Sequence, residues 1–272
     1  MLTNRDANAT GKRLGVAAFA VLAALSLAGC AGGKDRITTG SVSRDSGRSL
    51  ETMAGPQLAA TTDALGHAYT KNPKDVNAAM RYAQALQMSG RNDQSLAVMR
   101  KLAIDYPNER QVLAGYGKAL AAAGELEPAL DAVRRAQTPE YPDWKLISAE
   151  AAILDQLGQQ DDARRLYRRA LEMKPGESTI LSNLGMSYVL SGDLKSAETY
   201  MRQAAQAQGA DSRVRQNLAL VVGLQGRFQE AEEIATRELS ADQASANVAY
   251  LRSMLAQQNT WNQLRDEERN TN

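Results

Sequence analysis

The chain has 272 residues, of which 43% are hydrophobic, 23% charged and only 5% aromatic. Its 32 Lys and Arg nearly balance 31 Asp and Glu, so no basic excess points to nucleic acid. One His and one Cys exclude a multi-Cys/His zinc site and a disulfide within the chain, and leave little for nucleophile–His chemistry.

Residues 1–29 have the anatomy of a secretory signal. Lys12 and Arg13 form a charged start, and Leu14 to Leu27 supply an apolar run, LGVAAFAVLAALSL. The run is shorter than the roughly 20 residues a membrane span needs. It leads directly into Leu27, Ala28, Gly29 and Cys30. That segment resembles the bacterial lipobox and holds the chain's only Cys. The resemblance implies cleavage before Cys30, diacylglycerol on its sulfur and acylation of the new amino group. Read from the residues alone, a plain signal peptide cut after an A-x-A-like site, or an uncleaved anchor, would leave Cys30 an ordinary thiol. Several acyl chains on one residue hold firmly, since each buried CH₂ contributes about 0.8 kcal/mol. Position 31 is Ala rather than Asp. By likeness to lipoprotein sorting signals, this places the protein on the periplasmic face of the outer membrane.

Residues 30–56 are expected to be the acylated Cys and a Gly/Ser/Thr-rich tether with almost no apolar periodicity. A tether of this length has a root-mean-square reach of roughly 25–30 Å, enough to clear the lipid headgroups. Residues 57–75 fit a degenerate leading half-repeat in which His67 is a surface or packing residue.

From here the chain has a period. Gly90, Gly124, Gly158, Gly192 and Gly226 recur every 34 residues without an insertion. Ser95, Ala129, Ala163, Ala197 and Ala231 stand five residues after them, and Ala83, Gly117, Ala151, Gly185 and Ala219 seven before. These spacings resemble the small positions of the tetratricopeptide repeat (TPR). Five units occupy residues 76–245, each predicted to hold two helices that turn at the central Gly and approach closely through the small residues. Pro73, Pro107 and Pro175 stop second helices. Glu150, Arg215 and Glu238 depart from the repeat pattern. Residues 246–272 read as a capping helix, with Val248, Leu251, Met254, Leu255, Trp261 and Leu264 at helical spacing, and a polar tail. The expected fold is all-α: a TPR superhelical solenoid of antiparallel helix pairs closed by a C-terminal helix.

No phosphate-cradling loop, dinucleotide fingerprint, H-E-x-x-H or G-x-S-x-G stands in the sequence. Asp161–Asp162 and Glu232–Glu233 read as solvated helix faces, and Arg164, Arg165, Arg168 and Arg169 as partners in intrahelical ion pairs. No enzyme activity, cofactor, metal, nucleic acid or small-molecule substrate is expected. A hydrolase with an unfamiliar carboxylate site is the enzymatic alternative. What remains is a binding surface. In TPR proteins the concave groove is lined by unit positions 2, 5, 9 and 12. By that resemblance, partner-contacting residues include Met80, Gln84, Gln87, Lys118, Lys145, Asp155, Met186, Gln216 and Leu220. The Met residues suit an apolar peptide, or else serve only inter-repeat packing.

A lipobox, a tether and TPR units with nothing else resemble the TPR lipoprotein of tight-adherence (Tad/Flp) pilus assembly, the TadD family. The most specific segment is RQNLALVVGLQGRFQEAEEIA, Arg215 to Ala235. The resemblance implies a pilotin-like factor for the secretin or another component of the pilus secretion machine. A general envelope scaffold for peptidoglycan hydrolases or β-barrel assembly is the alternative.

Overall fold

The computed structural model describes residues 50, 53, 55–138, 140 and 142–270, with side chains as far as residue 257. The signal segment, Leu27, Ala28, Gly29, Cys30 and the tether up to residue 49 lie outside the described residues, as do the side chains of Trp261 and Leu264. The described residues form helices and no strand. In chain order these are α1 (Gly55–Lys71), α2 (Val76–Met88), α3 (Asn92–Asp105), α4 (Arg110–Ala122), α5 (Leu126–Ala136), α6 (Trp144–Gln156), α7 (Gln160–Met173), α8 (Ser178–Leu190), α9 (Leu194–Gln206), α10 (Ser212–Leu224), α11 (Phe228–Ala235) and α12 (Ala241–Asn270). The chain is all-α.

The helix boundaries follow local chemistry that repeats with the period. Each of the five in-register glycines has positive φ, from 72° at Gly90 to 83° at Gly124, a region open to Gly without a Cβ penalty. The following residue donates back to the last helical turn: Arg91 to Leu86 at 2.8 Å, Glu125 to Leu120 at 2.9 Å, Gln159 to Leu154 at 2.8 Å. Each Gly N–H closes the shorter ring, as Gly90 does to Gln87 at 2.9 Å. This paired 6→1 and 5→2 bonding is the Schellman motif. The prolines act where expected: α1, α3 and α7 end at Lys71, Asp105 and Met173, two residues before Pro73, Pro107 and Pro175. A further periodic device is the residue before each repeat. Asp75, Asp143 and Asp211 cap α2, α6 and α10 by accepting from Ala78, Lys145 and Val214. Glu109 and Glu177 hold the same place without a capping bond.

The helices form two compact units, one ending at Tyr141 and one beginning at Pro142. In the first, α1 to α5 pack each on the next, and α2 also packs on α4. Gly117 of α4 lies so close to α5 that a Cβ there would meet Val133 Cγ2 at 2.6 Å and the Ala129 carbonyl oxygen at 3.2 Å. Ser95 Oγ donates to the Ala83 carbonyl at 2.8 Å, tying α3 to α2 through the two small positions of the repeat. Tyr69 of α1 stacks on Tyr82 of α2 with centroids 5.6 Å apart. His67 is exposed on α1.

In the second unit α6 to α12 pack in sequence, α6 and α10 also touch α8, and α12 also touches α10. Its core includes Ile147, Leu154, Tyr167, Ile180, Leu184, Met201, Val221 and Val222, all nearly solvent-free. The end of this unit differs from the simple 34-residue template. α11 has only 8 residues, against 11 to 14 in α3, α5, α7 and α9. α12 begins at Ala241, five residues before the capping helix expected from position 246. Ser240 explains the early start. Its Oγ accepts from Gln243 N–H at 3.3 Å, and Gln243 Oε1 accepts from Ser240 N–H at 3.2 Å, a reciprocal capping box. The packed face of α12 is Ala244, Val248 and Leu251. Leu251 sits over Gly223 of α10, where any Cβ would meet its Cδ2 at 2.5 Å.

Candidate protein-binding faces

The first helices of successive repeats are side-by-side neighbours: α2 with α4 in the first unit, and α6 with α8 and α8 with α10 in the second. Residues at equal repeat positions therefore stand one helix spacing apart, roughly 8–10 Å. The expected groove residues divide between two such stretches. Met80, Gln84, Gln87 and Lys118 belong to α2 and α4; Lys145, Asp155, Met186, Gln216 and Leu220 belong to α6, α8 and α10.

Their surroundings differ. Gln84, Lys118 and Lys145 are exposed, while Met80, Gln87, Met186, Gln216 and Leu220 are half-buried. Met80 borders Gly115 of the next repeat, whose Cβ would come within 3.7 Å of the Met80 methyl. Met186 packs on the core around Met201, Leu218 and Val222. Both Met residues thus serve inter-repeat packing while keeping part of their surface in solvent. Lys145 lies 5.5 Å from the Trp144 ring centroid. Gln216 donates to Ser212 Oγ at 2.9 Å.

Asp155 sits elsewhere than a solvent-facing groove position. It is only 6% exposed and accepts from Ser187 Oγ of α8 at 2.7 Å. Burial pushes its carboxyl up to about 6, against the opposing pull of the Ser187 and Tyr167 hydroxyls and the Arg164 charge. Two features that look anomalous in sequence explain each other. Arg215 and Glu238, both departures from the repeat pattern, form an ion pair, and Arg215 also donates to the Ala210 carbonyl at 3.0 Å. The basic run of α7 splits its work. Arg164 and Arg165 pair with Asp161 and Asp162 one turn earlier, whereas Arg168 donates to the Tyr188 hydroxyl at 2.9 Å. Tyr188 in turn stacks on Tyr200, centroids 5.5 Å apart. An ion network ties α9 to the turn before α11 and to α11 itself. Glu198 accepts from Arg202, Arg227 and Gln225, and Glu230 accepts from Arg202 and Arg227. Those donors, Arg227 foremost, hold the Glu198 carboxyl down at about 2.

Among the described residues no group of His, Cys, Asp and Glu is arranged to hold a metal ion, and no helix is long and apolar enough to cross a membrane. Sequence reasoning missed the periodic acidic caps, although they stand in the sequence at the same 34-residue interval. It also missed the Asp155–Ser187 and Arg215–Glu238 partnerships, which join residues 32 and 23 positions apart and leave no local signature.

Tetratricopeptide-repeat profiles match residues 81–143 and 156–221. No curated protein sequence matches the chain. Among solved structures, PilW, a widely conserved type IV pilus biogenesis factor, is similar at 20% identity and a TM-score of 0.57, over 76% of this chain and 94% of that one. A thermophilic TPR protein of Thermus thermophilus is similar at 21% identity and a TM-score of 0.55, over 64% and 96%. In the Cut9–Hcn1 hetero-tetramer of the APC/C, a chain is similar at 13% identity and a TM-score of 0.56, over 74% of this chain and 40% of that one. At these identities the likeness is one of fold. The described residues have the all-α fold of tetratricopeptide-repeat proteins, with the repeats themselves matched over residues 81–143 and 156–221.

Proposed function

We propose that this protein is a lipoprotein of the outer membrane, facing the periplasm, whose repeats hold protein partners during assembly of a Tad/Flp-type pilus machine, in a pilotin-like role toward its secretin. The observation that carries the reading is the sequence L-A-G-C at Leu27 to Cys30, placed directly after the apolar run and followed by a tether and repeats. Three further points support it. The repeat is a scaffold whose stacked first helices offer extended surfaces to another polypeptide. Half-buried Met80, Met186 and Leu220 beside exposed Gln84, Lys118 and Lys145 give those surfaces apolar anchors with polar surroundings. The fold likeness extends to PilW, a pilus biogenesis factor.

No reaction step is involved. Acylated Cys30 confines the repeats to the membrane, and tethering raises the effective concentration of a membrane-bound partner to about the millimolar range, so a weak surface suffices. Replacing the anchor tests this. Cys30→Ala, exported with an intact cleavable signal, is expected to yield a soluble, helical protein and cells without pili, read by membrane fractionation and a piliation assay. Full piliation from the soluble variant would refute the reading.

A further inference from the structure

The second unit buries a carboxyl group in the seam between two repeats. Asp155 lies at the end of α6, in the third repeat, and Ser187 on α8, in the fourth. Ser187 is solvent-free and gives its hydroxyl to Asp155 Oδ1 at 2.7 Å. Tyr167 of α7, 2% exposed, turns its hydroxyl to the same carboxyl. Three helices thus meet on one acidic group with little access to water.

The group lacks what a buried carboxylate ordinarily requires. Among the described residues no cation forms an ion pair with it. The cation that acts on it is Arg164, whose guanidinium donates to the Ser187 carbonyl at 3.4 Å. It pairs with Asp161, donates to Ser191 Oγ at 3.0 Å and lies 4.9 Å above the Tyr188 ring. Arg164 and Tyr167, both from α7, are the charged and titratable groups that act on Asp155; α8 supplies only the Ser187 hydroxyl. A charge in so dry a place, paired with two hydroxyls and no cation, is costly, whereas the neutral acid is not. Repeat arrays depend on each interface between neighbours, so a cost placed there falls on the coupling of the third and fourth repeats.

We infer that the Asp155 carboxyl is a proton-operated joint between the third and fourth repeats: protonated, it locks α6 and α7 onto α8, and ionised, it loosens them. The sign follows from linkage. Burial raises the folded-state value to about 6, above that of an unfolded Asp. Stability from the joint is therefore complete below the unfolded value, about 4, and is lost as pH rises through about 6. Carboxylates with lowered values, such as Glu198, act in the opposite sense and only below about pH 4.5. Between those limits the joint can be read separately. The inference does not rest on the proposed membrane role and is tested apart from it.

The test is hydrogen exchange of the full chain at about pH 5 and pH 7.5, corrected for intrinsic rates and read over peptides of α6, α7 and α8. Opening of this segment is expected to be about tenfold less frequent at the lower pH, from tenfold per unit of pKa difference. His67 lies on α1, outside the segments read. Asp155→Asn, a neutral mimic that keeps the Ser187 hydroxyl as partner, is expected to show the low-pH protection at both values. Carbon-13 NMR of the Asp155 carboxyl in the unaltered protein provides a direct measurement independent of that variant, with an expected midpoint near 6. A midpoint near 4, or pH-dependent protection that persists unchanged in Asp155→Asn, would overturn the joint.

Discussion

At the scale of single residues, the same repeat position can carry quite different tolerances. Gly117 and Gly185 both occupy the small site of a first helix, facing the second helix of their repeat. At Gly117 an added Cβ would meet Val133 Cγ2 at 2.6 Å and two backbone atoms at 3.2 Å, none of which can swing away. At Gly185 an added Cβ would meet the equivalent carbonyl, that of Ala197, also at 3.2 Å, but its two nearer neighbours are Met201 side-chain atoms at 3.0 and 3.1 Å, and a Met chain can re-route. Gly117→Ala is therefore expected to cost about 1–3 kcal/mol by overpacking. Gly185→Ala should cost visibly less, and urea unfolding midpoints of the two variants compare them. Equal losses would show that the close Val133 contact is not the controlling one. Arg215 and Glu238 make a related point. Each breaks the repeat pattern singly, and together they restore a partner to one another.

At the scale of elements, the first helices owe their ends to local sequence, whereas the last helix owes its seat to packing. Gly at the turn, Pro two residues past a second helix and Asp before a first helix all act within a few residues, so the pattern exposes them directly. α12 is different. Its start is set locally by Ser240 and Gln243, but its place depends on Leu251 meeting the bare backbone at Gly223. Leu251→Ala is expected to cost about 2–5 kcal/mol of docking stability. Faster hydrogen exchange across α12, with α6 to α9 little changed, would report it. Uniform destabilisation of the whole second unit would instead mean that α12 is integral to the array rather than a cap on its end.

At the scale of the whole molecule, the chain is two compact units divided between Tyr141 and Pro142. The second contains three repeats and α12, and at least three repeats are generally needed for an independent stack. A fragment of residues 142–272 is expected to fold by itself, with the helical circular dichroism of seven helices and cooperative thermal unfolding; a random-coil spectrum would show that the first unit is required. The 34-residue period alone determined the helical class and where the turns fall, because each turn is written in contiguous residues: a Gly that takes positive φ, a Pro that ends a helix, a small residue that admits a neighbour. Only the tertiary structure decided which groove positions face water. Asp155 shares the repeat position of Gln87, yet one is closed in by Ser187 and Tyr167 and the other remains half-open. Burial and charge pairing depend on side chains brought together from helices 20 to 32 residues apart, as in Arg168–Tyr188 and Asp155–Ser187. Periodicity fixes where each helix lies, but the free energy of a buried polar group is set by the partners that happen to meet it there.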